Sequence, residues 1–182
     1  MNSTIVNYPH RSRPHRETLS KILQPDISKT MEIQTATFAD LERILQLQHL
    51  AYQSEAKILN NFSIQPLRET LKDLAAQYHE GVILKAVDEQ GAIIGSVRGR
   101  TRDGTLFIGK LIVHPQHQGK GIGSRLLAEM ENRHPGLRCE LFTSSRSAKN
   151  LRLYEKAGYA GFAEKQREPG LTLIYMEKES CR

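Results

Sequence analysis

From Met31 onward the apolar positions recur at regular spacing. Met31–Thr35 alternates as a short strand. Thr37, with Asp40 three residues later, reads as a helix start, and Phe38, Leu41, Ile44, Leu45 and Leu47 follow a helical stripe. Residues 53–64 read as a polar, asparagine-containing loop. Pro66 suits the first turn of a second helix, in which Leu67, Leu71, Leu74, Ala75 and Tyr78 recur, and Gly81 suits its stop. Three strand patterns follow, at Val82–Val87, Ala92–Arg100 and Thr105–Val113, separated by turns at Glu89-Gln90-Gly91 and Arg102-Asp103-Gly104. A helix is expected over Gly121–Arg133, a strand over Leu137–Thr143, and a short helix from about Ser147 to before Gly158. Tyr159–Lys165 and Leu171–Lys178 read as two last strands. Strands in sequence followed by strand–helix–strand units predict a mixed α/β (α+β) domain with a central, mostly antiparallel sheet and flanking helices.

Length and composition fit one such domain. The chain has 182 residues, 38% hydrophobic and 25% charged, enough for one core and short for two. No apolar run approaches a membrane span, and the N-terminus has no continuous apolar stretch of the secretory kind. Cys139 and Cys181 stand far apart and form neither a disulfide framework nor a zinc pattern, so a cytoplasmic, reducing location is expected. His114 and His117 read as turn residues, and no metal is expected.

The net charge of +6 and the pI of about 9.4 raise a nucleic-acid partner, which would bind with steep salt dependence, or an anionic cofactor. Half of that charge falls in residues 1–30, where Arg11, Arg13, Arg16, Lys21 and Lys29 face only Glu17 and Asp26. With three prolines and few apolar residues, this stretch is expected to be a mobile basic arm, leaving a domain over residues 31–182. The reduced charge on that domain favours an anionic cofactor over specific nucleic-acid binding.

One segment carries recognisable chemistry. Ile112-Val113-His114-Pro115 runs into Gln118-Gly119-Lys120-Gly121-Ile122-Gly123-Ser124 and then into the third helix. Glycine permits close approach of the backbone to a ligand. The first amides of a helix lack intrahelical partners, so this is a site for a phosphate or diphosphate. It is not a P-loop, which needs Gly-Lys-Ser/Thr after four spacers, nor the G-x-G-x-x-G turn of a dinucleotide fold.

The segment resembles the Q/R-x-x-G-x-G/A motif of the GCN5-related N-acetyltransferases (GNAT family). The strand ending Val113-His114-Pro115 and the later Leu153-Tyr154-Glu155-Lys156-Ala157-Gly158-Tyr159 are similar to that family's flanking patterns. The resemblance spans about residues 31–178. It implies a GNAT-like acyl-CoA N-acyltransferase fold with acetyl-CoA as acyl donor, bound between two splayed strands. The backbone of Leu111, Ile112 and Val113 is then expected on the pantetheine arm. Gln118, Gly119, Lys120, Gly121, Ile122, Gly123 and Ser124 are expected at the diphosphate. The resemblance also implies that Tyr154 protonates the leaving thiolate, a free thiol having a pKa near 8.5. Where the family often has an asparagine seven residues before this tyrosine, the chain has Ser147. Asn150 lies one turn before Tyr154, and either residue is placed to contact the cofactor. The strand glutamate that serves some members as general base is absent. Glu55 and Glu140 are the candidate bases, and Lys110 on an alternating strand is expected to face solvent. The implied activity is acetyl transfer to a primary amine of a small molecule or peptide, by direct attack in a ternary complex. A non-catalytic acyl-CoA-binding regulator of the same fold is the alternative. No membrane partner is expected, and a homodimer stays open.

Overall fold

The computed structural model describes residues 31–168 and 170–181. The arm expected for residues 1–30 lies outside them. The strands are β1 (Glu32–Thr35), β2 (Val82–Val87), β3 (Ile93–Arg102), β4 (Thr105–Val113), β5 (Arg138–Ser144), β6 (Ala160–Glu168) and β7 (Leu171–Lys178). They form one seven-stranded sheet in the order β1-β2-β3-β4-β5-β7-β6. Every neighbouring pair is antiparallel except β4 with β5. The β3–β4 hairpin closes on Asp103 and Gly104, both at positive φ (48° and 73°), as a two-residue turn of matching twist requires.

The helices are α1 (Leu41–Leu59), α2 (Gln65–Arg68), α3 (Leu71–Glu80), α4 (Ile122–Asn132) and α5 (Ala148–Lys156). They divide between the two faces of the sheet. Leu41, Ile44 and Leu47 of α1 and Leu74 of α3 bury against Ile83, Ile93 and Ile112. On the other face Ile122, Leu126, Leu127 and Met130 of α4 and Tyr154 of α5 bury against Leu84, Val97, Leu106, Ile108, Leu141 and Met176. The mixed, mostly antiparallel sheet with flanking helices is the architecture the hydrophobic pattern predicts.

Three expectations need correction. Residues 53–59 are helix, not loop. Ala56 is fully buried, and α1 ends at Asn60 in the left-handed conformation (φ 50°), which asparagine tolerates. The single helix expected from Pro66 to Gly81 is two helices. At the break, extended Glu69 turns inward, and Thr70 caps α3 by accepting a hydrogen bond from the Asp73 amide. The second helix stops at Gly81 as expected, with Gly81 itself extended. What demands glycine there is space, since a Cβ would stand 2.3 Å from the Gly99 carbonyl oxygen. Finally, Cys139 and Cys181 are joined as a disulfide, with Cα atoms 6.0 Å apart. The C-terminal strand returns beside β5, and the Cys181 amide donates to the Leu137 carbonyl at 2.7 Å. Forty-two residues of separation hid that contact from sequence spacing.

Candidate active site

β4 and β5 pair only over Thr105–Phe107 and Arg138–Glu140. Beyond that point they diverge into a wedge. β4 keeps β3 on its other side, and β5 keeps β7. The facing edges of both strands, including Leu111, Ile112 and Val113, are therefore free of each other, with backbone groups that a bound chain can use. A bulge lies on β4 inside the wedge. Ser96 pairs with Ile112 and Arg98 with Gly109, so Lys110 and Leu111 both stand opposite Val97. Lys110 takes φ 50°, the left-handed kink that an inserted residue requires.

The glycine turn sits at the open end of the wedge. Gly119 and Gly121 both have φ 78°, a conformation that costs other residues strain. Gly121 is the N-cap of α4 and offers no side-chain hydrogen bond. The first bond of the helix runs from the Arg125 amide to the Gly121 carbonyl, so the amides of Ile122, Gly123 and Ser124 have no partner within the helix. Ile122 anchors this end of α4 in the core, only 1% exposed, and Lys120 stands half-buried on the turn. Gln118 braces the turn: its side-chain amide donates to the Val113 carbonyl at 3.1 Å, and its oxygen accepts from Lys149 at 2.7 Å.

Beside the wedge, three sequence candidates come together. Ser147, the buried N-cap of α5, donates to Glu55 Oε2 at 3.3 Å. Tyr154, two turns along α5, is 8% exposed. Burial, and then the nearby Glu55 charge, push its hydroxyl up to about 12. Burial also raises the Glu55 carboxyl above the ordinary carboxylate range, and the Ser147 hydrogen bond pulls it partly back. Asn150 is half-buried on α5, one turn before Tyr154. Glu140 lies elsewhere, opposite Phe107 at the closed end of the wedge, where its Oε2 accepts from Arg138 at 2.8 Å.

Two features of the other wall were missed. Burial, with smaller contributions from Tyr154 and Glu55, raises the Tyr52 hydroxyl of α1 above the ordinary tyrosine range and keeps it protonated. Lys110, expected to face solvent, is half-buried. The bulge aims it at the α1–α2 layer, where its ammonium donates to Gln65 Oε1 and lies 5.6 Å from the centre of the Tyr52 ring. Beneath them Arg98 pairs with Glu69 at 2.9 Å, and Gln48 and Gln77 complete the buried network. Burial pushes the Glu69 carboxyl up, but hydrogen bonds from Arg98 and Gln48 outweigh it and hold Glu69 below its ordinary range. The lone arginine in the apolar run Ile93–Gly99 was the sequence signal for such a network, because a buried charge needs a partner.

A sheet opened between two parallel strands, with an uncapped helix N-terminus at the opening, is the arrangement that the sequence resemblance implies. Residues 41–159 match the acetyltransferase (GNAT) family, and the chain belongs to that family. It is 29% identical over 117 residues to UPF0157 protein YqkA of Bacillus subtilis, a match covering 64% of this chain and 33% of that protein. The chain thus spans about a third of the length of that curated relative. Among solved structures, the PaiA N-acetyltransferase of Thermoplasma acidophilum, in complex with coenzyme A, superposes with a TM-score of 0.67 at 17% identity. That match covers 82% of this chain and 99% of the other. YncA of Salmonella typhimurium, a putative acetyltransferase with acetyl-CoA, gives 0.62 at 23% identity over 82% and 94% of the two chains. A phosphinothricin acetyltransferase of Sinorhizobium meliloti, in complex with acetyl-CoA, gives 0.66 at 19% identity over 83% and 89%. These likenesses share the GNAT fold. Among the described residues no helix is long and apolar enough to cross a membrane, and no group of three or more His, Cys, Asp or Glu is placed to hold a metal.

Proposed function

We propose that this chain is an N-acetyltransferase that moves an acetyl group from acetyl-CoA to a primary amine by direct attack. The observation that carries this reading is the meeting of Tyr154, Glu55 and Ser147 beside a wedge whose open end is an uncapped helix N-terminus. Acetyl-CoA supplies the activated thioester. The backbone of Gly119 to Ser124 holds the diphosphate, assisted by the helix dipole and by Lys120. The free edge of β4 at Leu111–Val113 and that of β5 orient the pantetheine arm, with Ser147 and Asn150 at its flank.

Each proton has a place. Glu55, made more basic than an ordinary carboxylate by burial, takes the proton that the acceptor ammonium must lose. As the new C–N bond forms and the C–S bond breaks, Tyr154 donates its hydroxyl proton to the departing sulfur, and the second N–H proton, shed as the nitrogen becomes an amide, restores the Tyr154 hydroxyl. Its raised pKa keeps that proton available at neutral pH. Glu55 is favoured over Glu140 because only Glu55 lies beside Tyr154. A cytoplasmic setting belongs to the same reading. The Cys139–Cys181 disulfide stands against it, since such bonds are rare in reducing compartments.

The test is an acceptor screen that follows release of free thiol from acetyl-CoA. Tyr154→Phe is expected to lower turnover roughly 100-fold or more with acetyl-CoA affinity retained. Wild-type turnover in Tyr154→Phe would remove the acid role. Tight acetyl-CoA binding with no thiol released to any amine would make the chain a non-catalytic acyl-CoA-binding regulator instead.

A further inference from the structure

One cation on the acceptor side has no task in the chemistry above. Lys110 of β4 is half-buried, and its ammonium has a side-chain oxygen of Gln65 from α2 and the Tyr52 ring of α1 against it. Among the described residues, no carboxylate forms an ion pair with it. Glu69, the acid whose charge reaches it, is already taken by Arg98, Gln48 and Gln77, and the Arg98 charge opposes Lys110. An unpaired charge drawn away from water is unfavourable. That burial lowers the Lys110 pKa to about 8. The Gln65 oxygen and the Tyr52 ring leave the ammonium with donors to spare and, among the described residues, no counter-charge bonded to it.

The position of Lys110 says what that anion belongs to. Lys110 lies over the Tyr52 ring, and Tyr52 and Glu55, three residues apart on α1, share one face of that helix. This side of the wedge therefore presents a carboxylate on the helix face that also carries Tyr52, and an ammonium over the Tyr52 ring. The Tyr52 hydroxyl, kept protonated by burial, adds a further hydrogen-bond donor on that face.

We propose that the acceptor is a free amino acid, with its amine facing Glu55 and its carboxylate held by Lys110. This rests on the acyl-transfer reading above and names its substrate class. Lys110 then acts in binding, and its loss acts on KM more than on kcat.

Matched acceptors test the assignment on the full chain at neutral pH. Free amino acids are each compared with the carboxamide that carries the same amine. The wild type is expected to prefer the free acid by roughly 10- to 100-fold in kcat/KM, as one charge-assisted hydrogen bond provides. Lys110→Met brings that ratio close to one, and Lys110→Arg keeps it well above one. A ratio measured within one preparation does not depend on how much of the variant is folded. Equal use of acid and amide by the wild type, or an unchanged ratio in Lys110→Met, overturns the proposal and leaves acyl transfer standing. If no acceptor releases thiol, calorimetry of the same amino acids on protein saturated with coenzyme A decides. Binding that is lost in Lys110→Met keeps the carboxylate site and removes acyl transfer. Absence of binding removes the site.

Discussion

The two walls of the β4–β5 wedge are made of different materials. The wall at Gly119–Ser124 is backbone: two glycines at positive φ and a helix end left uncapped. The wall at α1–α3 is side chain: Tyr52, Glu55, Lys110 and, behind them, Arg98 with Glu69. Backbone can be shared by sequences that agree at few positions, whereas a pocket of side chains is particular to one chain. The wall that would hold the donor is therefore generic, and the wall that would choose the acceptor is private.

The largest effect should come from the private wall. Arg98→Met leaves Glu69 buried without its cation and is expected to cost about 3–5 kcal/mol in denaturant unfolding. The same pair sets an acid response. Glu69 is held below its ordinary range, so its contribution is complete above its unfolded pKa and is lost as pH falls below about 4.3. Unfolding measured against pH should show that loss in the wild type and not in Arg98→Met. On the generic wall, Gly121→Ala meets no neighbour within 4 Å, so its cost is the left-handed backbone alone, about 1–2 kcal/mol. If the turn must hold that shape to bind, acetyl-CoA affinity measured by calorimetry falls about tenfold. A loss confined to stability would separate the turn from binding. Thr70→Ala removes the α3 cap for about 1 kcal/mol, and a thermal melt should show it without change in acetyl-CoA affinity. The smallest effect has the opposite sign. Lys110→Met removes an unpaired charge and should stabilise the free protein by no more than about 1 kcal/mol. Folded Lys110 titrates near 8 and unfolded lysine near 10.4, so wild-type stability rises with pH between these values, and the variant loses that slope.

The same division decides what was legible in the sequence. Period and turn chemistry placed all seven strands, and β4 and β7 end where they were expected. The glycine turn announced itself because backbone geometry restricts residue choice. The side-chain wall did not, because its residues meet only after folding. Glu55 was expected in a loop and lies on a helix, since Gln53–Leu59 form helix well once Ala56 finds a buried place. Lys110 was misread because alternation assumes a regular strand, and one inserted residue changes which way the next side chain points. The break at Glu69 was hidden because the acid turns inward only to meet an arginine that comes 29 residues later.

The bond between Cys139 and Cys181 turns the last part of the chain into a covalent ring. One arm of the wedge, α5 with Tyr154, and the β6–β7 hairpin all lie within it. On a chain-entropy account, closing a ring of this size removes about 4 kcal/mol of freedom from the unfolded state. The helix that carries the proposed proton donor therefore folds from a smaller set of open conformations than an uncrosslinked chain would explore.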